Sequence, residues 1–260
     1  MADPATLPLL LKALRLPTIA QCWKTLNEEA QEQGWSPARY LTHLCEQELA
    51  EREARRIYRY TKQSQLPAGK TLASFDFTHA KGVERRRIDA LAQDSEWVRQ
   101  GHNLIVFGPS GVGKTHLCAA ISHAMLEQGL RVRYFTATEL VQSLQRARQD
   151  FALPEALSKL DRFDIILIDD LGYVKKTEQE TSVLFELIAH RYESQSLMIT
   201  SNQPFSDWDQ VFADTMMTVA AVDRLIHHAT IFELKAQSYR KHQAINQQTS
   251  KGKATMTNDN

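Results

Sequence analysis

The sequence predicts an α/β fold, in which a parallel five-stranded sheet carries helices on both faces and follows a small all-helical domain. Three observations support this fold class. Short apolar runs alternate with helical stretches through the second part of the chain, a glycine-rich loop joins one of these runs to a helix, and the N-terminal part looks mostly helical. Alternation of strands and helices is typical of parallel sheets, because each crossover places a helix on one face.

The N-terminal part shows a helical pattern from about Leu9 to about Ser64. Ser36-Pro37 is typical of a helix N-cap followed by proline at the first helical position, and one long helical pattern continues from there to about Lys62. A breaker segment at 65–70 ends this pattern. The predicted divisions are a helical domain at 1–64, a linker at 65–77, the main domain at 78–245 and a polar, disordered tail at 246–260.

The main domain contains apolar runs that predict the strands of the sheet. Helical stretches separate them, which favours parallel pairing with both faces covered. The predicted strands are Asn103–Phe107, Arg131–Phe135, Ile165–Ile168, Leu197–Thr200 and Thr230–Leu234, and the predicted helices between them are Thr115–Gln128, Ala137–Arg148 and Thr177–Ser194.

The composition limits how the chain could bind nucleic acid, use its cysteines or interact with a membrane. Lys+Arg and Asp+Glu are both 31 in 260 residues, so any contact with nucleic acid must come from local basic patches. The three cysteines are far apart and lack metal-ligand spacing, which is typical of reduced thiols in a cytosolic protein. The apolar start Leu7–Leu14 is too short to span a membrane and has no signal-peptide cleavage pattern. We therefore expect a cytoplasmic protein without a membrane partner.

The segment Gly108–Thr115 fits the phosphate-loop pattern G-x-x-x-x-G-K-[ST], with an apolar strand before it and a helix after it. Glycines let backbone amides approach phosphate oxygens, and the helix adds its positive dipole end. We expect Lys114 to reach the β- and γ-phosphates and Thr115 to coordinate Mg²⁺, so ATP and Mg²⁺ are the predicted cofactors. A glycine-rich turn without a ligand is the alternative. The expected nucleotide contacts are Gly108, Pro109, Ser110, Gly111, Val112, Gly113, Lys114, Thr115 and His116.

Two carboxylates, Asp169 and Asp170, follow the apolar strand Ile165–Ile168. In open α/β sheets ligands bind at the carboxyl ends of the strands. We expect Asp169 to hold Mg²⁺ through water, and Asp170 to orient or deprotonate the water that attacks ATP. A strand ending in a polar turn would also look like this, but the phosphate loop upstream favours ATP hydrolysis.

Asn202 follows the predicted strand Leu197–Thr200, whose carboxyl end we expect beside the phosphate loop. At that place an amide side chain can hydrogen-bond the γ-phosphate or the attacking water and so act as a sensor. An asparagine in a strand-ending turn is the alternative, and the position at a strand's carboxyl end favours the sensor.

Several further motifs occur in order with the phosphate loop, and with them the chain resembles the IstB family of insertion-sequence ATP-binding proteins, which is related to the DnaC helicase loaders within the AAA+ superfamily. The resemblance covers the chain from about Leu9 to Arg240. The matching segments are Thr71–Phe77, Gly108–Thr115, Leu167–Val174, Leu184–Ile188, Arg191–Glu193, Thr200–Trp208, Asp223–His228 and Ser238–Arg240.

The resemblance implies a helper of DNA transposition that binds double-stranded DNA with ATP, largely without sequence preference. It implies head-to-tail homo-oligomers that bend the target, recruit or stimulate a cognate transposase, and associate with the nucleoid when bound to DNA. Arg224 is then an arginine finger that completes a neighbour's site, and Arg240 a second phosphate-sensing arginine; an internal ion pair or surface position is the alternative for Arg224. The superfamily usually carries Glu where this chain has Asp170, so turnover could be slow.

Three basic clusters could contact DNA phosphates; the alternative for each is a solvated helix face or ion pairs at a subunit interface. Glu51 and Glu53 lie among the first set and favour pairing within the helix. No cysteine or acid pattern joins His227-His228 and His116, which lie far apart in sequence, so no metal site is predicted from them. The candidate DNA contacts are Arg52, Arg55, Arg56, Arg59 and Lys62, then Arg146 and Arg148, and then Lys175 and Lys176.

Two other functions remain open. The chain could be a helicase loader of the same superfamily, whose N-terminal helices bind a replicative helicase. It could also be a switch in which ATP only favours one assembly state and hydrolysis is negligible.

Overall fold

The computed structural model describes residues 4–172, 177–204, 207–208 and 215–235. Contacts between residues divide the chain into two units, Met1–Arg59 and Tyr60–Asn260. The predicted domain divisions stay a prediction. Among the described residues, none of the helices combines the length and apolar character needed to cross a bilayer.

The first unit is helical. A short 3₁₀ turn, Pro4–Thr6, precedes α1 (Leu7–Ala13), α2 (Pro17–Glu32) and α3 (Pro37–Ser64), of which α3 extends into the second unit. Proline opens α2 and α3 because its missing N–H is not needed in a first helical turn. Ser36 Oγ accepts a hydrogen bond from the Arg39 amide at 3.2 Å, which confirms the predicted N-cap. Leu11, Ile19 and Leu44 form the core of this unit.

A buried carboxylate on α3, that of Glu48, caps the N-terminus of α2. Its Oε2 accepts hydrogen bonds from the amides of Thr18 at 2.8 Å and Ile19 at 3.1 Å, and Oε1 accepts one from Arg52 Nε at 2.9 Å. Burial alone would raise the pKa of Glu48, but these backbone and guanidinium hydrogen bonds outweigh it and lower the pKa. The charged form therefore stabilises the fold, since it satisfies first-turn amides that have no partner within the helix.

Glu48→Gln is expected to destabilise the first unit by about 1–2 kcal/mol at neutral pH, because the α2 cap loses its charge. A depressed folded-state pKa gives stability that is present above the unfolded pKa, about 4.3 for Glu, and lost as pH falls through the lower folded value. Hydrogen exchange of residues 17–32 measures the loss. Glu51→Gln, at an exposed position on the same helix, serves as the control. Equal protection in both variants would contradict the capping role.

The second unit is a parallel sheet with strand order β2-β3-β4-β1-β5, which confirms the predicted fold class. Each predicted strand is present, with ends that differ by about one residue. The elements are α4 (Arg85–Gln93), α5 (Glu96–Arg99), β1 (Asn103–Phe107), α6 (Lys114–Glu127), β2 (Val132–Thr136), α7 (Ala137–Gln149), α8 (Leu153–Leu160), β3 (Ile165–Asp169), α9 (Glu178–Arg191), β4 (Ser196–Ser201), α10 (Thr215–Ile226) and β5 (Ala229–Glu233).

Two hydrophobic clusters cover the two faces of the sheet. On β3, Ile166 and Ile168 pack with side chains of α7, α8, α9 and α10, whereas Ile165 and Leu167 pack with those of α4, α5 and α6. Successive side chains of a strand point to opposite faces, so a strand covered on both sides must be apolar throughout. Phe75, from the predicted linker, is buried in the second cluster.

The strand order places three carboxyl ends side by side. β1 pairs with β4 so that Phe107 lies opposite Ser201, and β3 pairs with β4 so that Ile168 lies opposite Ile199. The sequence prediction that the end of β4 lies beside the phosphate loop is therefore confirmed. The loop after β1, the acids ending β3 and the polar residues ending β4 all meet at one edge of the sheet.

Candidate nucleotide-binding site

The loop between β1 and α6 has a backbone that requires glycine. Gly108, Gly111 and Gly113 have φ values of 144°, 81° and 101°, a region that residues with a Cβ rarely adopt. A Cβ at Gly108 would lie 2.3 Å from the Leu234 carbonyl oxygen, and one at Gly113 would lie 3.1 Å from Phe75 Cε2. Gly113 is the N-cap of α6, so the positive end of that helix opens into the loop.

Lys114 is the first residue of α6 and is only 5% exposed. Its Nζ donates hydrogen bonds to the carbonyls of Gly108 at 2.8 Å and Pro109 at 2.9 Å. The ammonium group is therefore held under the loop, where it adds a full positive charge to the helix dipole. Such a site favours a polyanion such as a triphosphate.

Three hydroxyl groups converge on the buried carboxylate of Asp169. Thr115 Oγ1 donates to it at 2.9 Å, Thr200 Oγ1 at 2.5 Å and the Tyr134 hydroxyl at 3.0 Å. Burial and the negative charge of Asp169 raise the pKa of Tyr134, so the phenol remains a donor. The oxygens of Thr115 and Asp169 are the hard donors that Mg²⁺ prefers, and they fit the predicted metal site.

Asp170 has a left-handed backbone, with φ of 59°, and its amide donates to Thr200 Oγ1 at 2.9 Å. Asp adopts this conformation more readily than most residues with a Cβ, which gives a local reason for a short acid at this position. Its exposed side chain borders the same cleft as Lys114 and Asp169. The carboxylate is thus placed at the mouth of the site.

The cleft around these residues has a volume of about 830 Å³. Asn202 borders it, and its Oδ1 is buried with no hydrogen-bond partner in the described part of the chain. An unpaired buried acceptor of this kind fits a ligand or a water that donates to it. A further wall of the cleft comes from the predicted linker, which contributes Lys70, Ser74, Phe75, Asp76 and, just beyond it, His79.

Tyr134, Thr200 and the linker wall were not among the residues predicted from the sequence. Hydroxyl residues near the carboxyl ends of predicted strands were an available signal for Tyr134 and Thr200. The linker gave no such signal, because only packing brings Phe75 against Gly113. His116, a predicted nucleotide contact, directs Nε2 to Thr71 O and Ser74 Oγ, both at 3.1 Å, and so ties the linker to α6.

Arg224 lies in the last turn of α10, at the opposite edge of the sheet from the phosphate loop. Its neighbour Leu225 accepts a hydrogen bond from Asn103 Nδ2 at 3.0 Å, at the start of β1. Five residues of β1, rising about 3.3 Å each, separate that point from the loop. The guanidinium donates to Ala220 O at 2.9 Å and lies 5.3 Å from the Phe185 ring centroid.

Most arginines of the predicted DNA-binding clusters have partners in the chain. Arg52 and Arg55 converge on Glu48, Arg56 pairs with Glu53, and Arg148 bonds Glu186 and Ser182. The pairing of Arg56 with Glu53 is the within-helix alternative expected from the sequence. Arg59, Lys62 and Arg146 are exposed. Lys175, Lys176 and Arg240 lie outside the described residues.

The fold is shared with replication proteins of the AAA+ superfamily. The chain superposes on a DnaI crystal structure with a TM-score of 0.55, at 20% identity over 66% of this chain and 95% of that one. The DnaC helicase loader gives 0.53, at 20% identity over 68% and 99%, and AMPPCP-bound DnaA from Aquifex aeolicus gives 0.55, at 17% identity over 72% and 56%.

Sequence similarity is closer to another group of proteins. An insertion sequence ATP-binding protein of Sinorhizobium fredii is 49% identical over 251 residues, which are 96% of this chain and 84% of that protein. One from Geobacillus stearothermophilus is 37% identical over 227 residues, 87% of this chain and 90% of that protein. The model of the family described as IstB-like ATP binding protein matches residues 9–247, and the chain therefore belongs to this family.

Proposed function

We propose that this chain is a Mg²⁺-dependent ATPase that assembles head to tail on double-stranded DNA and assists transposition by recruiting or stimulating a transposase. The observation that carries the nucleotide part is the meeting of Lys114, Thr115, Asp169 and Asp170 at one sheet edge. The insertion-sequence relatives support the link to transposition.

In this proposal the protein's own groups bind the phosphates and the metal, and they orient and deprotonate the attacking water. The loop amides and Lys114 hold the phosphates, while Thr115 and Asp169 supply oxygen ligands for the metal. Asn202 and Asp170 border the γ-phosphate end, where Asp170 accepts a proton from the attacking water and Asn202 orients it. Bound Mg²⁺ supplies charge neutralisation on the phosphate oxygens. Thr200 and Tyr134 keep Asp169 in place through the hydrogen bonds described above.

Asp170→Asn distinguishes an ATPase from a switch that only binds ATP. The amide is isosteric but cannot accept the proton, so we expect hydrolysis to fall at least about 100-fold while ATP affinity changes little. Phosphate release and ATP binding are measured on the same preparation. A variant that has lost phosphate release but matches wild type in every other functional assay would show that hydrolysis is dispensable and favour the switch, whereas unchanged phosphate release would contradict the role of Asp170.

Arg224 supports a site shared between copies, because it lies at the far edge of the sheet from the loop in its own chain. An arginine there can reach a γ-phosphate only in a neighbouring copy. Contacts of this head-to-tail type build rings or open helices rather than closed dimers.

Arg224→Ala is expected to lower hydrolysis roughly 10³-fold, as loss of an arginine finger does, and to leave ATP binding by the monomer nearly intact. Mixing it with Lys114→Ala supplies the sharper test. The Arg224→Ala protein keeps the phosphate-loop lysine, and the Lys114→Ala protein keeps the arginine. Recovered hydrolysis in the mixture would indicate that Arg224 of one copy acts at the nucleotide site of another. Loss of ATP binding by the isolated Arg224→Ala monomer would remove the finger assignment.

The DNA part of the proposal is tested with a random-sequence duplex in the presence of ATP, ADP or no nucleotide, while particle size is followed. We expect tight, salt-sensitive, ATP-dependent binding that builds large particles. Absence of duplex binding in every nucleotide state would favour the helicase loader, which the DnaC-like fold also permits. The first unit would then be a protein-docking module.

A further inference from the structure

Two turns at the sheet edge opposite the phosphate loop bring a carboxylate and two imidazoles together. Glu193 follows α9, and His227 and His228 stand between α10 and β5. Glu193 Oε1 lies 3.8 Å from His227 Nδ1 and 3.8 Å from His228 Nε2. Among the residues that the structure describes, this is the group of three side chains whose donor atoms all lie within 4.8 Å of one another.

We propose that Glu193, His227 and His228 form a binding site for a divalent transition-metal ion of the zinc, nickel or copper class. Two imidazoles and one carboxylate are a donor set that such ions favour, with a further coordination position left open to water. Donors bound at about 2.1 Å around a tetrahedral ion lie about 3.4 Å apart. Small side-chain movements would shorten the two observed 3.8 Å separations to that value.

The backbone around the donors is fixed before any ion binds. The carbonyl of His228 accepts the Asn103 amide at 2.9 Å, at the first residue of β1. Glu193 has a left-handed φ of 55°, and a Cβ at the adjacent Gly101 would lie 3.1 Å from the Glu193 carbonyl carbon. A non-glycine residue held in this conformation is supported by its surroundings. The His228 turn is therefore hydrogen-bonded to the start of β1, and the Glu193 turn lies close to Gly101, two residues before that strand.

Aromatic neighbours orient the imidazoles. The Tyr192 hydroxyl and His227 Nδ1 are 2.7 Å apart, so an ion bound at Nδ1 replaces this hydrogen bond, and the His228 ring stacks on His102 with centroids separated by 5.2 Å. The side chains of Glu193, His227 and His228 are about half exposed, so an ion can enter directly from solvent. Stacking on His102 restricts the orientation of the His228 ring.

The site differs in chemistry from the one at the phosphate loop. Mg²⁺ prefers oxygen ligands, whereas imidazole nitrogen favours the later transition metals. A bound ion would tie the turn after α9 to the end of α10, which carries Arg224. Excess Mg²⁺ should therefore leave the site available to the transition metal.

The test is calorimetric titration of the untagged full-length protein with Ni²⁺ or Zn²⁺ in excess Mg²⁺. We expect one ion per chain, with affinity at least about tenfold lower in His227→Gln, His228→Gln and Glu193→Gln. His190→Gln is the matched control, because the His190 imidazole pairs with Asp161, at 2.9 Å. Melting curves confirm that each variant folds. Equal affinity in wild type and the three variants would overturn the site.

Electron paramagnetic resonance of bound Cu²⁺ gives a readout that general surface binding would not reproduce. Wild type should show coupling to two imidazole nitrogens, and His228→Gln should show coupling to one. A spectrum without nitrogen coupling, or one unchanged by His228→Gln, would also overturn the proposal.

Discussion

Lys114→Ala is expected to lower ATP affinity by about 10-fold to 100-fold and to abolish hydrolysis. The variant loses the buried ammonium group that we propose holds the phosphates, and a hydrogen bond to a charged group contributes about 1.5–3 kcal/mol. Titration calorimetry with ATP and a phosphate-release assay measure the two effects. Lys159→Ala, at an exposed position on α8, is the control and should match wild type.

Lys114 also bonds the carbonyls of Gly108 and Pro109, so the melting temperature of Lys114→Ala must be measured beside its affinity. A folded variant with weakened binding supports the phosphate-loop assignment. Unchanged ATP affinity in a folded Lys114→Ala protein would count heavily against it.

Arg191→Met is expected to destabilise the second unit by about 4 kcal/mol or more. Arg191 is 1% exposed, and its guanidinium donates to the carbonyls of Leu160, Phe163, Asp164 and Ser196 and to Gln195 Oε1. The substitution removes several hydrogen bonds to a charged group, each of which contributes about 1.5–3 kcal/mol. Burial lowers the pKa of Arg191 to about 10, so the group remains charged at neutral pH.

Thermal unfolding checks this prediction, with an expected fall in melting temperature of about 10 °C. Arg191→Lys should recover little, because an ammonium group cannot reproduce a planar fork of donors. Arg162→Ala removes an exposed arginine nearby in sequence and should change stability by less than about 0.5 kcal/mol. A melting temperature for Arg191→Met close to that of wild type would show that water replaces the guanidinium.

The elements that the sequence located best are those with strong local signals. β1 has the bounds that were predicted, and α3 begins at Pro37 as the Ser36-Pro37 pair indicates. Helices α4, α8 and α10 were not predicted, and Arg224 was placed only as a residue before β5. Their patterns are short, so tertiary packing rather than local preference defines them.

The candidate site likewise combines features that sequence motifs predict with features that depend on the order of the strands. The phosphate loop and the Asp169-Asp170 pair are contiguous motifs, so their chemistry is readable without a structure. Tyr134 and Thr200 act on Asp169 from strands distant in sequence, and their role depends on the order β2-β3-β4. Likewise, the sequence around His227-His228 shows no metal-ligand pattern, because Glu193 is distant in sequence. Only the fold brings the turn that carries Glu193 beside the two histidines.

By itself the sequence determined the fold class, the phosphate loop, the paired acids and the family, since each is carried by local order along the chain. Only the tertiary structure decided which hydroxyls hold Asp169, which arginines are already paired, and that Arg224 lies far from its own loop. Those facts depend on strand order and side-chain packing between segments distant in sequence, which local patterns do not encode.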